Sequence, residues 1–444
     1  MDDLRLALPG PVNYILNALN DAGYEAFIVG GCVRDALLGR EPNDWDITTS
    51  ALPEQVKGIF KKTFDTGIKH GTVTVLAKGG QYEVTTYRID GIYEDSRHPK
   101  QVTFTSNLTE DLRRRDFTIN AMAYHPQVGI VDPFDGMGDL EAGVIRAVGN
   151  PSERFDEDAL RIMRAVRFSA QLGFAIDPET ALELKNFAPR LRDISHERIR
   201  DELVKLLISP YPETFEVLYD MGITAVIFPR FDEMMRCPQN NSGQIYDVGH
   251  HTLAMLPEVP ADATLRVAAL LHDTGKIDTR VTDSKGIDSF AEHPAASAVF
   301  AKKWLTDMRF DNATIADVTR LVSLHSYNFA GTKVSARRLV SMAGELMPGL
   351  LKLMRADISA KSREAQDICV PLLDALDKYY EEILADGDCT DLKHLAIGGG
   401  DLISAGVKPG PKMGQILAAL LDEVIEDPSK NNKSYLLGRA KEIQ

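Results

Sequence analysis

The sequence predicts an α+β protein: a mixed α/β part over residues 1–150, followed by segments that are all helical. Two observations carry this. The stretches "GTVTVLAK" and "QYEVTTYR" alternate apolar and polar residues with the period of two that half-buried strands require, and both lie before residue 100. From "ERFDEDALRIMRAVRFSAQLG" onward the β-rich patterns disappear and apolar residues recur at helical spacing, placing a boundary near residue 150. Softer breaks at "SPYPET" (209–214) and "ADGDCTD" (385–391) divide the remainder into 151–210, 211–390 and 391–444. A chain of 444 residues is too long for one hydrophobic core, so several domains are expected.

Taken in order, "VNYILNALNDAG" reads as a helix from its apolar spacing, "EAFIVGG" as a strand ending in glycines, and "CVRDALLG" as a short helix. A strand at "WDIT", a helix at "LPEQVKGIF" and the two alternating strands follow, with the pair Gly79-Gly80 reading as their hairpin turn.

Composition narrows the class. With 44% hydrophobic and 26% charged residues the chain is an ordinary soluble globular protein, and no apolar run is long enough to cross a membrane. Acidic residues stand in "MDDLRLALPG" where a signal peptide would be basic. The four cysteines form no CxxC pair, which fits a reducing cytoplasm and argues against a zinc knuckle or disulfide framework. The net charge of −15 argues against a nucleic-acid partner only if charge is spread evenly. It is not: Arg113, Arg114 and Arg115 are consecutive, and Arg154, Arg161, Arg164, Arg167, Arg190, Arg192, Arg198 and Arg200 follow in one stretch. A basic groove on an acidic body is the expectation.

The segment "NDWDITTS" (43–50) holds the first chemistry. In a strand, Asp44 and Asp46 point the same way, and two converging carboxylates repel unless a cation lies between them. An Asx-type turn before a strand is the alternative. "VGGCVRDALLG" (29–39) places Gly30 and Gly31 between a strand and a helix start, a cradle for an anion, with Arg34 able to add a bidentate phosphate contact. Tight helix–strand packing also explains such glycines. Glu83, on the strand "YEVTT", is either a third carboxylate or a solvent-facing strand residue. A phosphate cradle beside paired carboxylates is what nucleotidyl transfer needs.

"GGCVRDALLGREPNDWDITTS", "RRRDFTINAMAYH" and "RFDEDALRIMRAVRF", then "HERIRDELVKLL" and "GGGDLISAGVKPGPKMGQIL", resemble the successive motifs of class II tRNA nucleotidyltransferases. These are the bacterial CCA-adding enzymes and poly(A) polymerases of the DNA polymerase beta superfamily. The resemblance implies a nucleotidyltransferase head (1–150), a neck bearing a base-selecting helix (151–210), a body (211–390) and a tRNA-binding tail (391–444). It implies tRNA, CTP and ATP as partners, with no DNA and no membrane. Asp44 and Asp46 would hold two Mg²⁺ ions, with Glu83 as a possible third acidic group, and Gly30, Gly31 and Arg34 would bind nucleotide. Asp116 and Asn120, on one helical face if the segment is helical, resemble with Arg115 the family's ribose-recognising motif.

Asp158 and Arg161, in "EDALR" (157–161), are three apart and share a face if both lie on one helix. Cytosine and adenine both present an amino donor beside a ring-nitrogen acceptor; guanine and uracil present a carbonyl beside an N–H. An aspartate accepting from the amine and an arginine donating to the ring nitrogen would take C and A and oppose G and U. The family is known for such a protein template, and Arg164 and Arg167 resemble its further nucleotide-contacting arginines. The alternative is a surface helix with a Glu157–Arg161 salt bridge.

Within the family, CC-adding members lack an intact loop that "YRIDGIYEDSRHPKQVTF" (87–104) supplies here, and poly(A) polymerases carry basic segments that this chain lacks. CCA addition is the leading expectation, with A addition beside a separate CC-adding enzyme, or polyadenylation, as the alternatives. A second constellation lies at 245–360: His251, His272, Asp273 and Asp357 resemble the ligand set of HD-superfamily phosphohydrolases, with His293 and His325 able to complete a second metal site. A divalent metal there and a hydrolase activity are separate expectations.

Overall fold

The computed structural model describes residues 5–91 and 102–443; most of the charged segment 87–104 that bears on terminal A addition therefore lies outside the described residues. The chain forms two compact units, Met1–Pro229 and Arg230–Gln444.

The first unit is built on a sheet with strands β1 (Ala26–Val29), β2 (Ile47–Thr49), β3 (Thr63–Gly67), β4 (Thr72–Ala77) and β5 (Gly80–Thr86), then a separate pair β6 (Arg88–Asp90) and β7 (Val102–Phe104), then β8 (Ala123–His125) and β9 (Gly129–Val131). Seven of them order as β3-β4-β5-β2-β1-β8-β9. Helix Gly10–Asp21 covers one face because Val12, Ile15, Leu16 and Leu19 repeat at helical spacing and are all buried. Ile28, Ile47, Val73, Val75 and Val84 supply the sheet's side of that core.

Topology assembles one rim of the sheet. β1 runs antiparallel to β2 with Ile28 opposite Ile47, so the end of β1 lies beside the start of β2. β5 runs parallel to β2 with Val84 opposite Ile47, which brings Glu83 level with Asp46. β8 pairs antiparallel with β1, Ala123 opposite Val29, and returns Asn120 to the same rim.

Three local expectations are corrected. β4 and β5 pair with Ala77 opposite Gly80, so the turn residues are Lys78 and Gly79. Both have positive φ, 43° and 85°, as a two-residue hairpin of this hand requires. Strand β2 begins only at Ile47, leaving Asp44 and Asp46 in the extended segment before it. The segment 151–172 is not one helix but two, Pro151–Glu157 and Leu160–Leu172, broken at Asp158, whose backbone is extended. A parallel two-residue pairing of Val144–Ile145 with Ala175–Ile176 links the last part of the head to these helices.

The second unit is helical apart from a short pairing of Val281–Thr282 with Asp288–Ser289. Helices Val248–Met255, Ala263–Leu271, His293–Asp307, Asn312–Leu324 and Met347–Ser359 surround one polar centre. Near the end of the chain, Leu402, Ile416, Leu420, Val424 and Leu436 form a separate small core.

Candidate active site and a second polar centre

At the rim of the sheet the Val29 amide donates to the Asp46 carbonyl (3.0 Å), extending the β1–β2 pairing to the carboxylate pair. Trp45 packs partly buried against the core while Ile47 is fully inside it. Desolvation pushes the Asp46 carboxyl up, the nearby Arg115 opposes this, and Asp44 adds to it. Glu83 is likewise raised by desolvation and then by the charges of Asp46 and Asp44. The three form one negative field, although among the described residues only the second unit holds three ligand atoms within 4.8 Å of one another. All-oxygen donors suit a hard cation such as Mg²⁺, and the mutual penalty on Asp46 and Glu83 is what such a cation relieves.

Gly30 has φ of +81°, and a Cβ there would lie 2.8 Å from Arg115 Nη1. Glycine at this position thus admits the Arg115 guanidinium. Arg34 is buried, and the fork expected to meet phosphate closes on Asp35 instead, through Nε at 2.9 Å and Nη2 at 2.8 Å. Its Nη1 donates to Asn120 Oδ1 (2.5 Å), and the Asn120 amide donates to Asp116 Oδ1 (3.1 Å). Asp116 and Asn120 do not share an α-helical face: Asp116 precedes a 3₁₀ turn, Thr118–Asn120, and the contact is direct. Burial alone would raise the Asp116 carboxyl, but Arg164 and the Asn120 amide hold it well below the usual carboxylate range.

Asp158 and Arg161 stand at the helix break. Asp158 Oδ1 accepts from the Leu160 amide (3.0 Å), capping helix Leu160–Leu172, and Oδ2 accepts from Arg198 Nη2 (2.8 Å). Arg161 does make the salt bridge to Glu157 (2.6 Å), and also donates to the carbonyls of Arg154 (3.1 Å) and Arg114 (2.9 Å). Those bonds use three of the five N–H groups of a guanidinium. Arg164 pairs with Asp116 (2.6 Å) and Arg167 with Glu202 (2.5 Å). The guanidiniums of Arg34, Arg164 and Arg167 lie 5.0, 5.3 and 3.9 Å from the centre of the Phe168 ring.

Several members of this site carry no sequence signal by themselves. Asp111 is fully buried and accepts from Arg114 Nε (3.0 Å) and Thr48 Oγ1 (3.1 Å), with Arg115 at 3.6 Å. It anchors two of the three consecutive arginines. Phe168, next to Arg167 on the same helix, and Arg198 and Glu202, from the helix His196–Leu207, complete the shell; their motifs are visible in the sequence, but these contacts are not.

In the second unit His251, His272, Asp273 and Asp357 lie around one centre with His293 and His325. His251 Nε2 lies 2.9 Å from Asp357 Oδ1, and His272 Nε2 lies 3.1 Å from Asp273 Oδ2. The other Asp273 oxygen faces His293 (3.4 Å) and His325 (3.6 Å). His272, His293 and His325 each hydrogen-bond through Nδ1 to the carbonyl three residues earlier, at 2.7, 2.8 and 2.7 Å. With Nδ1 of each ring held by backbone, Nε2 of all three points inward and is the atom available to a metal. His293 Nε2 and His325 Nε2 face one another at 3.3 Å, and burial lowers His293 to about 4, which keeps it neutral. His272 Nε2 and both Asp273 oxygens are buried without a well-formed hydrogen bond. Asp273 and Asp357 would be raised by burial but are held well below the usual range, by His272 and Lys276 in one case and by Lys361 and His251 in the other. The donor set fits a divalent metal. Gly275 allows the close approach, since a Cβ there would lie 2.5 Å from the His293 carbonyl.

The fold and rim define a nucleotidyltransferase. Residues 26–146 match the family model of the poly A polymerase head domain, residues 173–235 that of an RNA- and SrmB-binding site of polymerase A, and residues 292–440 that of tRNA nucleotidyltransferase domain 2. The chain is 38% identical to the CCA-adding enzyme of Levilactobacillus brevis over 430 residues, 95% of each chain, and 37% identical to that of Limosilactobacillus fermentum over 437. It is also similar to the structure of a Bacillus stearothermophilus CCA-adding enzyme in complex with CTP, with 30% identity, a TM-score of 0.75 and 98% of both chains covered. The chain belongs to the CCA-adding enzyme family of tRNA nucleotidyltransferases. This family uses a divalent metal. No described helix is long and apolar enough to cross a membrane.

Proposed function

We propose that the head adds CMP, CMP and AMP from CTP and ATP to the 3′ end of tRNA, releasing pyrophosphate, with Asp44 and Asp46 as ligands for two Mg²⁺ ions. The observation that carries this is the convergence of Asp44, Asp46 and Glu83 beside Gly30 and Arg115 on one rim, in a chain whose relatives at full length are CCA-adding enzymes. Bound there, Mg²⁺ supplies a lowered pKa for the RNA 3′-hydroxyl and neutralises the departing pyrophosphate. The chain's own residues do the rest. Arg34 and Asn120 lock Asp116 and the glycine turn together, so the ribose-facing side of the site is pre-organised. Asp158 and Arg161 read the amino group and ring nitrogen shared by C and A: Asp158 is fixed by its cap and by Arg198, and Arg161 has N–H groups left for a base. Free, unpaired cysteines support a cytoplasmic location.

The test is incorporation of each labelled NTP into tRNA lacking CCA and into tRNA ending in CC. CMP should enter only the first and AMP the second; AMP on the CC-ended tRNA without CMP on the other would establish an A-adding enzyme. Asp44→Ala or Asp46→Ala should reduce both incorporations by at least a hundredfold, since transition-state charge stabilisation of this kind is worth about 3 kcal/mol or more. Near-normal turnover of either variant removes the pair from the mechanism.

A second reading rests on the clustered imidazole nitrogens and carboxylates: His251, His272, Asp273 and Asp357, with His293 and His325, hold one or two divalent cations and form a separate phosphohydrolase centre. Metal bound there would supply an activated water.

A further inference from the structure

We propose that the open face of strands β3, β4 and β5 is the track of the RNA strand whose 3′ end reaches the rim. Phe64 is the platform on which one of its bases stacks, and Lys62 is the contact to its phosphate. The inference rests on the reading of Asp44 and Asp46 as the reaction centre and adds a binding subsite that this reading does not contain.

Strand register carries it. Directly opposed residues of paired strands share a face of the sheet, and along each strand every second residue returns to that face. Phe64 on β3 is opposed to Thr74 on β4, and Thr74 to Glu83 on β5. Val84 is aligned with Ile47, so Glu83 and Asp46, one residue earlier on each side, are neighbours on the other face. Phe64, Thr74, Glu83 and Asp46 therefore form one row, on the face away from the core that Val73, Val75 and Val84 build. The Leu76 amide donates to the Lys62 carbonyl (3.0 Å), which continues the β3–β4 pairing one residue back and puts Lys62 on the same face as Phe64. Neighbouring strands lie ~4.8 Å apart, so three steps place Phe64 about 14 Å from Asp46. An RNA strand with its 3′-hydroxyl at Asp46 crosses that span within about four nucleotides even when stacked at ~3.4 Å each.

The row also lies on the side from which RNA must come. In the strand order β3-β4-β5-β2-β1-β8, the nucleotide candidates Gly30, Arg34 and Asn120 belong to the β1 and β8 side of Asp46. Attacking and leaving oxygens are roughly in line in phosphoryl transfer, so a nucleotide held on that side leaves the β5 side to the attacking strand. Phe64 is 54% exposed there, an aromatic ring that the core does not use. Lys61, Lys62 and Lys69, all exposed, bracket it on a chain whose net charge is −15. The nearby acids Glu54 and Asp65 are both taken up by Lys57, at 3.5 and 3.2 Å. An exposed ring for the base with ammonium groups for the phosphates is how single strands are held.

The test uses the full chain with Mg²⁺, CTP and tRNA lacking CCA, and reads initial rates of CMP incorporation against each substrate. Phe64→Ala should raise KM for tRNA about tenfold, the loss of one base–aromatic stack, and leave KM for CTP within about twofold and the Tm unchanged. Phe64→Trp should keep the parent KM for tRNA. Phe64→Leu should behave as Phe64→Ala, because leucine is apolar but has no π face. Lys62→Ala should weaken tRNA binding and flatten the dependence of log K on log salt by about 0.7, one phosphate contact on a single strand. A parent KM for tRNA in Phe64→Ala, or full activity in Phe64→Leu, overturns the platform. An unchanged salt slope in Lys62→Ala overturns the phosphate contact. Equal rises in KM for CTP and tRNA in Phe64→Ala place its effect on the whole site and overturn a separate RNA subsite. Near-normal turnover in Asp44→Ala or Asp46→Ala instead removes the reaction centre to which the row leads; that failure is read in variants with Phe64 and Lys62 intact and is distinct from the others.

Discussion

Asp158 carries two duties in one carboxylate. Its Oδ1 caps the Leu160 amide and its Oδ2 receives Arg198, so replacing it changes both a helix start and a candidate base reader. Asp158→Ala should lose about 1 kcal/mol of stability from the missing cap and raise UMP and GMP incorporation relative to CMP and AMP. A buried polar partner lost is worth about 1–3 kcal/mol, so the change in discrimination is about tenfold to a hundredfold. Asp158→Asn separates the duties. An amide oxygen still caps Leu160, so stability should hold, while its NH₂ can meet a uracil carbonyl and selectivity should still fall. Single-nucleotide incorporation with all four NTPs, beside a thermal melt of each variant, is the measurement. Unchanged selectivity in both variants would leave Asp158 a cap and nothing more. The sequence gives away this residue only in part. Spacing brings Asp158 and Arg161 together on paper as neighbours on a helix face, whereas the chain breaks at Asp158. Their proximity survives because a capping residue and the third residue after it both sit at the first turn. The Glu157–Arg161 bridge, the plainer alternative for the same letters, is present as well. Asp111 is the opposite case. Nothing in "LTEDLRRRD" distinguishes it from Glu110, and only its complete burial against Arg114 and Thr48 does so.

At the scale of elements, the rim is a product of strand direction. Antiparallel β1–β2 pairing sets Val29, just before Gly30, against Asp46, and parallel β2–β5 pairing sets Glu83 level with Asp46. Alternation patterns mark β4 and β5 in the sequence, but they do not contain direction or order, so they do not place Glu83 level with Asp46. β3 and β8 had no legible pattern: β3 is an edge strand of "TFDTG" with no buried face, and β8 is three residues long and buried throughout. The turn after β1 offers the sharpest test at this scale. Gly30 combines φ of +81° with an Arg115 guanidinium where a Cβ would stand. Gly30→Ala should destabilise the protein by about 1–3 kcal/mol from backbone strain alone and push Arg115 away from Asp46. The expected outcome is a lowered Tm together with weaker CTP binding in calorimetry. A variant with the parent's Tm would show that the turn does not need its left-handed residue.

For the whole molecule, the question is whether two chemistries share one chain without sharing residues. The rim residues, from Gly30 to Arg167, fall in Met1–Pro229, and the imidazole cluster, from His251 to Asp357, falls in Arg230–Gln444. Each has its own support: a β-sheet core in the first, and helix ends around a polar centre in the second. If the cluster is a separate centre, His272→Ala and Asp273→Ala should leave CMP and AMP incorporation within about twofold of the parent. They should also remove most of the metal bound when Asp44 and Asp46 have been replaced by Asn. Asp273→Ala is the harsher variant, because it strands the buried Lys276 ammonium that lies 2.7 Å from the carboxylate, and breaking such a pair costs about 3–5 kcal/mol. His272→Ala removes one inward imidazole nitrogen and leaves every ion pair of the cluster's lysines in place. It is therefore the variant to judge by, with a melting curve to confirm the fold. Loss of CMP incorporation in a folded His272→Ala protein would mean that the cluster serves the head's reaction, and the division into two independent centres would fall.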